Sequence, residues 1–349
     1  MIFHEYVPLA PHTTLGVGGP ARYLLEIDSD EEISAALEFA QSRKLPLFVM
    51  GGGSNLVVAD AGYPGVVVKI GLRGVEREEG PDGKVNFDVA AGEDWDTFVQ
   101  RTIAHNCSGL ECLSGIPGKV GATPIQNVGA YGQEVAECIQ WVRAVELSTG
   151  RVDVISAAQC QFGYRSSRFN TIDRQKYVIA QVRFQLQVGG TPALRYPELQ
   201  NYFSGDGREP TLGDVRETVL KIRRNKSMVL DPDDENFHSA GSFFKNPVVT
   251  QRRFEDLAQR TKSRGVAMPS YPAGEGMRKL SAAWLVEQAG FVKGYARGAV
   301  GISTRHSLAL VNRGGAQAAE VVALAEEIRS GVSAEFGVEL APEPVFVGF

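Results

Sequence analysis

Hydrophobic positions along the chain switch repeatedly between a period of two and a period near 3.6, an alternation that predicts an α+β protein. Residues 22–27 read as a strand. Ser29, followed three residues later by Glu32, forms a capping box that opens a helix to about Arg43, with Ile33, Ala36, Leu37 and Ala40 as its apolar stripe. A short buried strand at 47–50 runs into Gly51-Gly52-Gly53-Ser54-Asn55, after which 56–58 resume an extended pattern. Strands at 66–70 and 85–90 and a helix at about 94–106 lead to a glycine-rich stretch at 114–132. Further strands at 141–147, 152–156 and 178–186 enclose a loop at 163–169. Residues 189–208, with Gly189-Gly190, Pro192, Pro197 and Gly205-Asp206-Gly207, read as a loop or boundary. Thr211 then caps a helix to about Lys226 with Val215, Val219 and Ile222 on one face. The remainder predicts helices at 252–262 and 280–288, a strand at 308–311, and a long amphipathic helix at 316–336 lined by Val321, Leu324, Ile328, Val332 and Phe336.

The stretch from Ser114 to Gly132 holds many glycines and two prolines, so backbone geometry matters there more than side-chain bulk. Successive exposed amides suit a large anionic ligand, although the same composition serves a run of tight turns. Two other glycine motifs narrow the choice. Gly16-Val17-Gly18-Gly19-Pro20-Ala21 matches a dinucleotide fingerprint in letters only, because a strand rather than a helix follows it. The Gly51–Asn55 loop lacks the Lys and Ser/Thr of a phosphate-binding P-loop. What remains is a pair of loops suited to a long ligand such as a dinucleotide, or two structural turns.

Composition removes several function classes. The chain has 349 residues, enough for two or three domains, and its net charge of −5 argues against nucleic acid as a partner. No window approaches the roughly 18 apolar residues of a membrane span, and the N-terminus lacks a basic segment followed by an apolar one, so no membrane association and a cytoplasmic location are expected. The four cysteines show no paired spacing and the five histidines no ligand spacing, so reduced thiols and no metal are expected.

Taken together and in order, His12-Thr13-Thr14-Leu15-Gly16-Val17-Gly18-Gly19, Gly51–Leu56, the 115–132 stretch, Gly163-Tyr164-Arg165, Gly241-Ser242-Phe243-Phe244-Lys245-Asn246-Pro247 and Pro342-Glu343 resemble the UDP-N-acetylenolpyruvoylglucosamine reductases, specifically the subtype with a mobile tyrosine loop. The resemblance implies a two-subdomain FAD-binding fold of the vanillyl-alcohol-oxidase type with a separate C-terminal α+β substrate domain. The expected divisions are 1–72, 73–210 and 211–349, with the last strand returning toward the flavin. It implies non-covalent FAD held by Gly51, Gly52, Gly53, Ser54, Asn55, Ser114, Gly115, Ile116, Pro117, Gly118, Gly121, Ala122, Gln126, Asn127, Gly129, Ala130 and Tyr131. Substrate positions would be Tyr164, Tyr196, Lys226, Asn246 and Gln288, and catalytic ones Arg165, Ser242 and Glu343. Ser166 and Asn170 depart from the usual pattern, as does Ala122, where many members have glycine.

The implied reaction reduces the enolpyruvyl ether of UDP-N-acetylglucosamine enolpyruvate to UDP-N-acetylmuramate in peptidoglycan synthesis. Hydride addition to an unsaturated carboxylate builds negative charge, which a fixed guanidinium at Arg165 would meet in bidentate fashion. Ser242 would deliver a proton to the α-carbon. Glu343, set among Pro342, Pro344 and Val345, would assist only as a protonated carboxyl. With no resident nicotinamide site, NADPH would visit transiently in the pocket later used by the sugar nucleotide, whose diphosphate Arg223, Arg224 and Lys226 could receive. A monomer is expected. An FAD-dependent carbohydrate or alcohol oxidase of the same superfamily is the alternative, although neither glycine-rich stretch contains a histidine for tethering flavin. A flavin- or nucleotide-binding regulatory protein is a third reading.

Overall fold

A computed structural model describes residues 1–205, 208–262 and 265–349; Asp206 and Gly207 of the expected loop therefore lie outside the described residues. The chain forms two compact units, one of Met1–Val7, Ala21–Gly53 and Tyr63–Leu230, the other of Pro8–Pro20, Ser54–Gly62 and Asp231–Phe349.

In the first unit a four-stranded sheet runs in the order Ile2–Pro8, Pro20–Ile27, Tyr63–Ile70, Leu47–Met50, with the last three strands parallel. Such pairing needs crossovers, and the helix Asp30–Ser42 supplies one, capped by Ser29 Oγ accepting from Glu32 N and buried through Ile33, Ala36, Leu37 and Ala40; the Glu32 carboxylate accepts from Asp28 N, so the expected box is only half formed. An antiparallel sheet follows in the order Val152–Ser156, Ile139–Glu146, Tyr177–Val188, Lys84–Ala90, Val75–Glu79. Against it packs the helix Trp95–Ala104, where Trp95, Phe98, Phe87 and Phe184 stack with ring centroids between 5.2 and 6.1 Å. Trp95 also donates its indole N–H to the Leu113 carbonyl at 3.1 Å. The core thereby anchors the residue that precedes the glycine-rich stretch.

The stretch expected to be loop-like contains a helix, Pro197–Phe203, with Tyr196 as N-cap and proline in its first turn. It is seven residues long with one buried anchor, Leu199, which packs on Val215, Val219 and Ile222. So short an element leaves little periodic signal. The helix Leu212–Asn225, closed by a reciprocal Thr211/Asp214 capping box, packs in this first unit, although 211 begins the third segment of the sequence division.

In the second unit, strands Ser239–Ser242, Ala309–Asn312, Val300–Ile302 and Ala296–Arg297 form one sheet, and Val248–Thr250, Met277–Leu280 and Ser270–Pro272 another. The helix Ala318–Phe336 buries the full stripe Val321, Leu324, Ile328, Val332 and Phe336, and its first amides donate to Asp60. The final strand Val345–Val347 pairs in parallel with Leu56–Val58. Gly19 lies where a Cβ would stand 2.1 Å from the Asp60 carbonyl oxygen. Its motif thus serves close backbone packing and leads into a strand. No helix among the described residues is long and apolar enough to cross a membrane.

Candidate active site

The two glycine-rich loops meet within the first unit. A Cβ on Gly52 would lie 3.0 Å from Gly118 Cα, and one on Gly121 would lie 2.5 Å from Ala91 Cβ. Bulk at either position displaces main chain, so the pair leaves a side-chain-poor surface at Gly51, Gly52, Ile116, Pro117 and Gly118 that remains partly or fully open to solvent. Such a cradle fits a dinucleotide pyrophosphate laid against backbone. Ser114 anchors the start of the stretch, its Oγ donating to the Glu111 carbonyl at 2.7 Å, and Gly115 N donates to Asp96 Oδ1 at 2.5 Å. Gly51–Gly53 belong to the first unit, whereas Ser54 and Asn55 belong to the second. Overpacking of this kind costs about 1–3 kcal/mol. Gly121→Ala is therefore expected to yield folded protein with a reduced flavin content, read as the ratio of flavin to protein absorbance; an unchanged ratio would remove this loop from the cofactor site.

Farther along, Gly129 and Ala130 form a short strand, while Asn127, Tyr131 and Arg165 all adopt positive φ, at 44°, 49° and 52°. Non-glycine residues persist there only where neighbours over-determine the conformation. Asn127 is buried and donates to Gly163 O at 3.0 Å and Glu134 Oε2 at 2.7 Å. Gly163 and Ser166 exchange backbone hydrogen bonds of 2.9 and 3.1 Å, closing the turn that presents Arg165. The guanidinium donates to Gly129 O at 2.7 Å and lies 5.5 Å from the Tyr164 ring centroid. Gln126 is half-buried beside this turn's anchor Asn127.

The same unit assembles a second cluster. Tyr131 and Tyr196 pack edge to face at 5.5 Å, and Lys226 Nζ lies 5.9 Å from the Tyr131 centroid while pairing with Glu198 at 2.7 Å. Arg223, on the same helix turn, is buried; its Nη2 donates to Met228 O at 2.5 Å, and its Nε is buried without a partner. Burial pushes the Tyr131 phenol up to about 12 and lowers Arg223 from its ordinary value, the nearby Tyr131 and Asp96 opposing that drop. Burying a guanidinium with an unfilled donor is costly unless an acceptor arrives.

Asp96 ties these parts together, accepting from Arg216 at 2.6 and 2.8 Å as well as from Gly115 N. Burial raises its pKa, but the Arg216 and Gly115 hydrogen bonds and the Arg216 and Arg223 charges outweigh that, leaving it lowered. A depressed carboxylate contributes stability that is present above the unfolded value near 3.9 and lost as pH falls through the folded value. Asp96→Asn is expected to destabilise the protein by roughly 1.5–3 kcal/mol at neutral pH. The gap from wild type, measured by urea unfolding, should narrow below about pH 4; a gap that does not vary with pH would show the ion pair to be unimportant.

In the second unit, strand Ser239–Ser242 carries a bulge, with Gly241 at φ 73°, and places Ser242 opposite Ala309. Ser242 Oγ lies 3.1 Å from His306 Nε2. Phe243 N donates to Leu308 O at 2.7 Å and Glu343 N to Phe243 O at 2.8 Å, so main chain alone brings Glu343 beside the serine loop. Asn55 closes the group, its Nδ2 donating to Glu343 O at 3.3 Å and its carbonyl accepting from Val345 N at 2.9 Å. Phe243 and Phe244 are buried behind. Asn246 caps the helix Ala282–Gln288 through Ala282 N at 2.9 Å, and Gln288 is that helix's exposed last residue. The structure thus groups Asn55, Ser242 and Glu343 in one unit and Arg165, Tyr164, Tyr196 and Lys226 in the other. No metal-binding cluster occurs among the described residues.

Comparison with known proteins matches residues 21–156 to the family described as FAD binding domain, and 231–347 to UDP-N-acetylenolpyruvoylglucosamine reductase, C-terminal domain. The UDP-N-acetylenolpyruvoylglucosamine reductase of Thermobifida fusca is 47% identical over 351 residues, covering 99% of this chain and 98% of that protein. The chain belongs to the UDP-N-acetylenolpyruvoylglucosamine reductase family. The reductase of Streptomyces coelicolor is likewise 47% identical, over 98% of this chain and 89% of its own. A crystal structure of UDP-N-acetylenolpyruvylglucosamine reductase from Thermus caldophilus superposes with a TM-score of 0.66 at 27% identity, covering 99% of this chain and 100% of that one. The fold is that of the reductase family, an FAD-binding α+β part followed by the family's C-terminal domain.

The structure shows what Asn170, Ser166 and Ala122 do in this chain. Asn170 caps the turn at Ser167, accepting from its N–H at 3.0 Å, and donates to the Arg165 carbonyl at 3.2 Å. Ser166 closes the Arg165 turn through main chain alone, so its side chain is not needed there. Ala122 is exposed at the end of a 3-10 turn, where a methyl group displaces nothing buried. His306 is the polar residue beside Ser242 that the sequence does not single out, because it is a lone histidine without ligand spacing.

Proposed function

We propose that this chain is an NADPH-dependent flavoenzyme that reduces the enolpyruvyl ether of UDP-N-acetylglucosamine enolpyruvate to UDP-N-acetylmuramate, a step of peptidoglycan precursor synthesis. The match to curated reductases over nearly the whole chain carries this reading. FAD, when bound, accepts a hydride equivalent from NADPH and makes it available to the substrate. Residues 51–55 and the stretch from Ser114 to Tyr131 would hold it without a covalent link, the cradle at Gly52 and Gly121 being the feature that fits it.

The remaining roles belong to side chains of this protein. Arg165 meets the charge that grows on the substrate carboxylate as hydride reaches the β-carbon. Its Tyr164 neighbour and the Asn127-anchored turn hold it in place. Ser242 gives a proton to the α-carbon, and the buried phenylalanines behind it exclude water. Glu343 serves only in its protonated form, because a carboxylate would oppose the forming negative charge. Arg223, Arg224 and Lys226, with Tyr196, take the sugar-nucleotide diphosphate, with Asn246 and Gln288 on the substrate side. We assign 1–72 and 73–210 to flavin binding and 211–349 to the substrate, and the enzyme to the cytoplasm as a monomer. Because NADPH and sugar nucleotide use one pocket in turn, initial-rate plots against both should run parallel. Intersecting lines would contradict the shared pocket.

A further inference from the structure

We infer that His306 is a proton-relay and positioning residue for Ser242. The inference rests on the reading of Ser242 as the proton donor. A serine hydroxyl that protonates carbon is left as an alkoxide, and turnover requires that oxygen to recover its proton. Beside the serine stand Phe243 and Phe244, both buried, so bulk water is a poor supplier on that side. On the other side, His306 Nε2 is within hydrogen-bond distance of Ser242 Oγ, at 3.1 Å.

The fold fixes this pair through main chain. Strand Ser239–Ser242 sets Ser242 opposite Ala309, and Phe243 N donates to Leu308 O at 2.7 Å. His306 lies in the tight connection between Val300–Ile302 and Ala309–Asn312. Its N–H donates to Ser303 Oγ at 3.3 Å, its carbonyl accepts from Ala309 N at 3.0 Å, and Ser303 N donates to Ala309 O at 2.8 Å. Ser303 is fully buried, so the turn is built into the core rather than hung from the surface. Imidazole is the side chain best suited to passing a proton near neutral pH.

Hydride adds to the substrate β-carbon, the Ser242 O–H bond breaks as a C–H bond forms at the α-carbon, and the Nε2–H proton of His306 passes to the serine oxygen. The half-buried imidazole then recovers a proton from solvent, which restores Nε2–H for the next turnover. No oxidant or reductant beyond those of the proposed reaction enters.

The test uses the FAD-loaded enzyme and three variants, Ser242→Ala, His306→Ala and His306→Gln. Flavin content and the rate of anaerobic bleaching by NADPH are read first, and both should match wild type. Re-oxidation of the bleached enzyme by UDP-N-acetylglucosamine enolpyruvate should slow about 10²-fold or more in both histidine variants, in line with acid–base contributions. The concentration dependence on substrate should be unchanged, and added imidazole should restore part of the rate in His306→Ala. Glutamine can hold the serine by a hydrogen bond but cannot relay a proton. Near wild-type re-oxidation in His306→Gln would overturn the relay, as would full activity in His306→Ala. If His306→Ala loses its flavin, His306→Gln decides alone. Unimpaired Ser242→Ala would instead overturn the serine reading itself, a distinguishable result.

Discussion

Replacing Arg165 by lysine is expected to lower kcat/KM for the enolpyruvyl substrate about 10²–10³-fold, equivalent to roughly 3–4 kcal/mol of transition-state stabilisation. The positive charge survives the substitution, but the planar fork that meets a carboxylate with two parallel hydrogen bonds does not. The site is built for that fork. One arm is anchored on Gly129 O at 2.7 Å, and the backbone is held at φ 52° by the Gly163–Ser166 closure and by Asn170 on the Arg165 carbonyl. Lysine can occupy the same backbone, but its tetrahedral ammonium cannot keep the Gly129 anchor and still present two parallel, coplanar donors. Because the loss is specific to developing charge, flavin content and the rate of reduction by NADPH should stay near wild type. Steady-state kinetics with stopped-flow reduction would check this. A change in kcat/KM of less than about threefold would place the guanidinium away from the reacting carboxylate.

Ser242→Ala should separate the two half-reactions even more sharply. The variant is expected to remain yellow and to be bleached by NADPH at the normal rate, yet to be re-oxidised by the sugar nucleotide about 10²–10⁴-fold more slowly. Removing one oxygen from a partly buried position leaves the local fold intact, because register there depends on the main-chain bonds Phe243 N to Leu308 O and Glu343 N to Phe243 O. Equal re-oxidation rates would assign proton delivery to another group.

Local elements were legible where periodicity and capping coincide. The helix Asp30–Ser42 appears with its Ser29 cap and its apolar stripe, and the long C-terminal helix buries the whole stripe read from the sequence. The glycine-rich loops were legible as loops, but the reason for the glycines was not. That lies in neighbours distant in sequence, such as Ala91 against Gly121. The parallel pairing of Val345–Val347 with Leu56–Val58 joins segments far apart in the chain, so its register leaves no local trace. His306 shows the same limit, since its value comes from Ser242, 64 positions away. The burial of Arg223 was not legible either: a cation at a helix end ordinarily suits the dipole and stays wet, whereas packing beside Tyr131 and Gly115 buries this one.

Reducing equivalents are expected to pass from NADPH through a resident flavin to an enolpyruvyl ether. The absorbance spectrum of the purified protein under anaerobic conditions tests this passage directly. The expected sequence is a yellow protein, bleaching on addition of NADPH, and return of the yellow colour on addition of stoichiometric UDP-N-acetylglucosamine enolpyruvate without oxygen. A colourless protein unable to take up FAD, or a bleached one that recovers only when oxygen is admitted, would contradict the account.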